Sequence, residues 1–307
     1  MGLARLRSGT GGVAPGLAAG VLAALALLCL FAALCIGPGG NFAPSEGARG
    51  LAAILFGGEP LAASDQTILG WRGLRALAAF GVGGMLALSG GLLQGLFGNP
   101  LASPGVLGVS AGASLGASLV LAAIGGFGAD VLGNLAPGPT WITLGALLGA
   151  LVVLGPLFLV AGAGGRLSVP SLLLAGMAMN ALCAGLLAAL QSLTLSDFEV
   201  ARALFAWSFG TLEDRSGAQV ALAWSVLVVA LMGAAWIARE LDLLAGGEED
   251  AAALGVNVLG VKLTALVLSA LLAATAVAVA GQIAFVGLVV PHLVRLVTRR
   301  ATHRSLL

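Results

Sequence analysis

Ser110 lies in Gly108-Val109-Ser110-Ala111-Gly112, which fits the G-x-S-x-G pattern that presents a nucleophilic serine in many hydrolases. The one histidine within an apolar segment, His292, could act as its base, so the pair could form an intramembrane serine hydrolase. The context argues against that chemistry. The hydrolase elbow needs a strand before the serine and a helix after it, and here a loop with Pro100 and Pro104 precedes Ser110. With 48 glycines in the chain, the pattern also arises by chance. The steric alternative is stronger: Gly108, Gly112 and Gly116 recur at every fourth position, the small-xxx-small face by which membrane helices approach closely.

Other chemistries lack their residues. There is no G-x-x-x-x-G-K-[ST] phosphate loop, and the single lysine, Lys262, opens an apolar run. Two histidines and no H-E-x-x-H leave too few ligands for a catalytic metal. Cys29, Cys35 and Cys183 sit in apolar runs without a C-x-x-C spacing, which suits small buried residues. Charged residues are almost absent from the apolar segments, which weakens an ion-coupled carrier, since that mechanism needs a titratable or ion-binding relay. Gln94, Asn180 and Gln191 are the polar residues expected inside the spans. Helix–helix hydrogen bonding is their first reading, but a substrate path would need some of Gln94, Met177 and Asn180.

The elements that must position these residues are membrane helices. The chain is 307 residues long, 59% hydrophobic and only 9% charged, where a soluble domain carries about 25% charge. A bilayer span takes roughly 20 apolar residues. Seven stretches meet that length, at about 14–36, 76–96, 106–124, 140–162, 170–192, 217–238 and 261–280, and an eighth, Ile283 to Val297, is broken by Pro291. The expectation is an all-α, polytopic transmembrane bundle of about eight spans in one domain, its first span retained rather than cleaved as a signal. A net charge of +1 argues against a nucleic-acid partner. With the N-terminus in the cytoplasm, nine of the 14 basic residues, including Arg5, Arg7, Arg166, Arg299, Arg300 and Arg304, fall inside.

Two segments stand out from this frame. Arg72 and Arg75 sit on the outer side beside Trp71; they are either interfacial arginines that snorkel or a docking pair for an acidic partner. Residues 239–262 are the most charged stretch and fall on the cytoplasmic side. They read as two short helices broken at Gly246-Gly247, a compact unit suited to contact with another protein. There is also an internal echo: Gly90 precedes Pro100 at the spacing by which Gly281 precedes Pro291, a pointer to an inverted repeat.

Four motifs together resemble one family. "GNPLASPGVLGVSAGASLGA", "LLLAGMAMNAL", "LLAGGEEDAAALGVNV" and "GQIAFVGLVVPHLVRLVTRRATHRSLL" are similar, in order and spacing, to FecCD-type permeases of bacterial type II ABC importers. The structural motif falls on Asn99, Pro100, Pro104, Gly108 and Gly112, the cytoplasmic turn after the second span, and on Pro291, His292 and Arg295. The resemblance implies a multi-pass protein of the inner membrane that works as a homodimer, or as a heterodimer with a similar permease. It implies two cytoplasmic ATPase subunits that hold ATP and Mg, an extracytoplasmic binding protein, and a metal chelate as cargo, first an iron-siderophore. No cofactor would be bound directly, and haem or vitamin B12 are further cargoes of the family. Arg72 and Arg75 match the pair that docks the binding protein. Leu243, Leu244, Gly247, Glu248, Glu249, Ala252, Leu254 and Gly255, within residues 239–260, match the helices that couple to the ATPase. The family has ten spans and continues past the His-Arg that matches His303-Arg304; this chain ends at Leu307 after eight, so the last two helices are expected to be missing.

Overall fold

Long runs of Ala, Leu and Val without breakers satisfy their backbone groups internally as helices, as a lipid environment demands. The computed structural model describes residues 15–37, 40–56, 62–125, 138–162, 169–213 and 215–298, and within these it contains helices and no strand. The expectations placed on Arg5, Arg7, Arg166, Arg299, Arg300, His303 and Arg304 lie outside the described residues. In chain order the helices are α1 (Pro15–Cys35), α2 (Pro44–Phe56), α3 (Ala63–Phe97), α4 (Val109–Ala123), α5 (Gly138–Gly162), α6 (Val169–Leu193), α7 (Phe198–Phe209), α8 (Gly217–Leu244), α9 (Glu248–Ala253), α10 (Val258–Ala280) and α11 (Val286–Thr298). A 3-10 turn, Pro104–Leu107, precedes α4.

All eight expected apolar stretches are helical. Five helices are long and apolar enough to cross a membrane, those at Ser64–Phe97, Thr140–Leu157, Val169–Leu193, Gly217–Leu244 and Val258–Ala280. Gly20–Cys35, Val109–Ala123 and Val286–Leu296 are shorter apolar helices. The boundaries differ in instructive ways. α3 begins at Ala63 rather than near residue 76, so Arg72 and Arg75 ride on a helix instead of a loop mouth. It stops where Gly98 adopts φ +57° and its N–H closes on the Gln94 and Gly95 carbonyls. α4 begins at Val109 rather than 106, because Pro104 and Gly108 (φ +76°) make a separate turn first. α8 runs unbroken to Leu244, so residues 239–244 are its last turns and not a separate short helix. The first residues able to break it are Gly246 and Gly247. Neither α2 nor α7 was expected.

α3 and α10 form the centre. Of the α10 apolar window 72% is buried, against 17% for α6, so α10 is a core helix and α6 lies at the periphery. Ser89 and Ser269 join the two central helices. Their hydroxyls lie 2.7 Å apart, and each hydroxyl donates to the other residue's carbonyl, at 2.8 and 3.2 Å. The small-residue face of α4 meets a matching face on α5. A Cβ on Gly112 would lie 2.6 Å from the Gly149 carbonyl oxygen, and one on Gly145 would lie 2.8 Å from that of Gly116. Gly108 faces α6 instead, where a Cβ would lie 3.1 Å from the Gly176 carbonyl oxygen.

The two glycines of the internal echo sit differently. Gly90 lies inside α3 near its C-terminal end and packs on the Gly287 backbone, whereas Gly281 caps the end of α10 (φ +74°) against Gly210. What the two segments share is the break that follows each, after α3 and after α10.

Candidate functional site

Three places gather the residues that the sequence singled out. The first is the corner between α1 and α3. Arg72 is 4% exposed. Its Nη1 donates to the Leu34 and Cys35 carbonyls at 3.0 and 3.1 Å, and its Nη2 to those of Gly37 and Gly40. The guanidinium also lies over the Phe42 ring, 5.0 Å from its centroid. The Arg72 guanidinium thus faces the turn after α1. Arg72 satisfies the open carbonyls at the C-terminus of α1, where a cation also suits the helix dipole. Arg215 makes a similar contact on α10, donating to the Val279 carbonyl at 2.8 Å. Arg75 is half-buried and points at the same turn: a Cβ on Gly37 would lie 3.1 Å from its Nη2. Arg72→Ala should therefore lower the thermal midpoint of the detergent-purified protein by about 5 °C, since a buried charged donor contributes about 1.5–3 kcal/mol. Arg75→Ala should shift it much less; equal midpoints for wild type and Arg72→Ala would contradict this role.

The second place is the centre of the bundle. Gln94 is 3% exposed and its amide is committed at both ends. Nε2 donates to the Ala102 and Leu288 carbonyls at 3.4 and 3.3 Å, and Oε1 accepts from Arg295 Nη1. So Gln94 ties α3, the following turn and α11 together. Gln191 donates to the Ser208 hydroxyl at 3.3 Å and joins α6 to α7, the expected helix–helix role. Asn180 Nδ2 donates to the Gly105 carbonyl at 2.7 Å. Met177, one turn earlier on α6, is 54% exposed. Asn99 caps its own turn by accepting from the Leu101 N–H at 2.9 Å, and Pro100 follows it in that turn. Pro104 is buried, and Gly105 reaches Asn180 halfway along α6, so this part of the turn lies inside the bundle rather than at its cytoplasmic end.

The proposed serine–histidine pair is not brought together. Ser110 is half-buried and opens into a cavity of about 320 Å³ whose lining does not include His292. His292 is exposed on α11, next to the buried Pro291, which faces α3 and α8. A feature the sequence did not signal is Phe285, which has φ +66° and is the only non-glycine residue with positive φ among the described residues.

The third place is the corner of α8, α9 and α10. Gly247 takes φ +131° to turn the chain into α9, whose first turn carries Glu248, Glu249 and Asp250. Gly255 takes φ +85°, and the N–H of Val256 returns to the Ala251 carbonyl at 3.0 Å, closing the other end. Ala251 is the buried foot of α9, while Ala252 is exposed and Leu254 is 69% exposed. Leu243 and Leu244 are half-buried at the end of α8. A cleft of about 460 Å³ separates α8 from α10 and is lined by Leu243, Leu254 and Gly255 among others. Lys262, read from sequence only as the start of a span, is buried and pairs with the largely exposed Glu248. That ion pair fastens α9 to α10. Its signal was available: a lone lysine at the end of an apolar helix, shortly after an acidic turn.

An all-helical bundle with an exposed helical corner can be compared with known transport proteins. The profile of the FecCD transport family matches residues 24–307. The chain belongs to that family. This FecCD chain is 42% identical to the hemin transport system permease protein of Yersinia pestis over 76% of its own length and 67% of that protein's. It is 39% identical to the cobalamin import system permease protein of Halobacterium salinarum, over 74% of its length and 57% of that protein's. With the iron(3+)-hydroxamate import system permease protein of Escherichia coli the identity is 36%, over 77% and 34%. The FecCD chain thus spans between a third and two thirds of the length of these relatives. Its fold is similar to an inward-facing structure of a metal-chelate type ABC transporter, with a TM-score of 0.78 and 26% identity over 95% of this chain and 84% of that one. These likenesses agree with the resemblance carried by the four motifs, and they give no support to a serine hydrolase or an ion-coupled carrier. FecCD proteins are transport subunits rather than enzymes, so Ser110 is a residue of a transport bundle.

Proposed function

We propose that this chain is the membrane permease subunit of an ATP-driven importer, and that it moves a metal chelate across the bacterial inner membrane by alternating access. The observation that carries the reading is the family match over nearly the whole chain, on a fold whose charged helical corner lies away from the apolar bundle. Relatives that transport hemin, cobalamin and iron(3+)-hydroxamates share a caged metal as cargo, and an iron-siderophore is the first candidate. The excess of basic residues on one side supports a cytoplasmic N-terminus.

The division of labour follows from what the side chains can do. ATP and Mg bind to two cytoplasmic ATPase subunits. These press on α9 and its flanks, residues 239–260, through exposed Ala252 and Leu254 and the acidic Glu248 and Glu249. Gly247 and Gly255 set the angle of that helix, and Leu243 and Leu244 pass its movement to α8. A second copy or a similar permease completes the path, in which Met177 and Asn180 on the weakly covered α6 take part. On the outer side a binding protein docks at the α1–α3 corner through Arg75, with buried Arg72 holding the corner in place. The full-length protein, expressed with its ATPase and binding protein in a strain lacking chelate permeases, should restore growth on hemin or a ferric hydroxamate as sole iron source. Assembly of the complex without growth on any such chelate would count against the proposal.

A further inference from the structure

Two breaks between α-helices reach into the bundle. After the exposed residues 98–101, residues 102–108 turn back among the helices, in part as the 3-10 turn Pro104–Leu107, before α4 begins, and residues 281–285 form the break between α10 and α11. Contacts fix their depth. Gly105 meets Asn180, at the midpoint of α6. A Cβ on Gly287 would lie 2.9 Å from the Pro104 ring and 2.8 Å from the Leu86 carbonyl oxygen, halfway along the apolar part of α3. Non-helical backbone at membrane depth leaves peptide groups without helical partners. It is tolerated only where protein buries it or where it lines a water-filled cavity.

A cavity is what lies between the two stretches. The space of about 320 Å³ has Ser103, Ser110, Asn180 and Gln282 in its lining, and Phe285 beside it is 76% exposed. Phe285 holds its left-handed backbone with a bulky side chain, an outlier of the kind that gathers at functional sites. The neighbouring serines of α4 behave differently. Ser114 and Ser118, one and two turns further on, are fully buried in the packed helices, so only the first serine of the series opens into the cavity. Met177 extends the same face of α6 beyond Asn180.

We infer that this cavity is a substrate-contact subsite for the uncharged oxygen-bearing groups, amide carbonyls and hydroxyls, on the outside of a metal chelate. The Ser110 hydroxyl donates to the carbonyls and the Asn180 Oδ1 accepts from the hydroxyls, and Phe285 stacks on the apolar remainder. The inference rests on the importer reading and names the part of this chain that touches the cargo. A bare ferric ion does not suit it: the site has no carboxylate, imidazole or thiolate, and no metal-binding cluster occurs among the described residues. Where broken helices meet at mid-membrane, neutral polar groups can grip a solute without the desolvation cost of a buried charge.

The test uses the complete transporter in proteoliposomes, with Cys29, Cys35 and Cys183 replaced by alanine. Ser110→Cys and, as a buried control, Ser118→Cys are reacted with methanethiosulfonate ethylammonium, with and without hemin or ferrichrome, whichever the parent transports. Ser110→Cys should react at least about tenfold faster than Ser118→Cys, and the chelate should slow it during turnover. Ser110→Leu and Asn180→Leu should each reduce uptake about five- to tenfold, the size of one lost hydrogen bond, with ATPase assembly intact. Equal slow labelling at both positions, or uptake unchanged in both leucine variants, would overturn the subsite and leave the importer standing. A parent that takes up no chelate would overturn both.

Discussion

Gly116→Leu should leave almost no folded protein in the membrane. α4 and α5 approach backbone to backbone where Gly112 and Gly116 face Gly145 and Gly149, with Val120 and Val153 packed beside them. A side chain at 116 would enter the Gly145 carbonyl and meet the Gly149 Cα at 3.0 Å. Neither obstacle can rotate away, unlike the end of a flexible side chain, so the two helices must separate. That would strip α4 of its main partner and disturb the Gly108 contact with α6 at the same time. Losses above about 4–5 kcal/mol are exceptional for one substitution and belong to this kind of overpacking. Gly185→Ala on α6 is the matched control, because nothing lies within 4 Å of the added Cβ. Membrane yield and a single elution peak in detergent give the readout. Near-normal yield of Gly116→Leu would show that the α4–α5 contact is wrong.

The second large effect is expected at Leu254. This leucine is 69% exposed at the end of a short acidic helix and contributes little to its own chain's core. An exposed apolar residue held on a rigid turn fits a pocket on a partner. Leu254→Asp should weaken ATPase association by about 30-fold or more, the range of a buried interface anchor at 2 kcal/mol and above. The thermal midpoint of the isolated protein should barely move, because most of the side chain faces outward. Lys262→Met should differ: it removes the charge that holds Glu248 and frees α9 from α10, so association and stability should fall together. Binding measured with purified ATPase separates the two. Tight binding by Leu254→Asp would move the coupling surface away from α9.

Much of the fold is legible in the chain because lipid makes helix the only answer to a long apolar run. All eight such runs are helices, and the four-residue glycine spacing marks a real helix–helix contact. What escapes is non-local. Arg72 looks like an interfacial residue until the end of α1, more than 30 residues earlier, folds its carbonyls around the guanidinium. Gln94 could have lined a path; its partners Leu288 and Arg295 lie about 200 residues further along the chain. The prolines at 100 and 104 announce a turn, but only the contact of Gly105 with Asn180 shows that the turn dips inward. The repeated Gly-to-Pro spacing marks two real breaks, after α3 and after α10, although its two glycines pack differently.

The central claim is that this chain supplies a path and docking surfaces while the energy comes from ATP on partner subunits. Uptake of radiolabelled hemin or ferrichrome into proteoliposomes carrying the full complex tests it most directly. Uptake should require ATP and binding protein, and should continue when a protonophore collapses the proton gradient. Uptake that persists without ATP and stops with the protonophore would contradict the account.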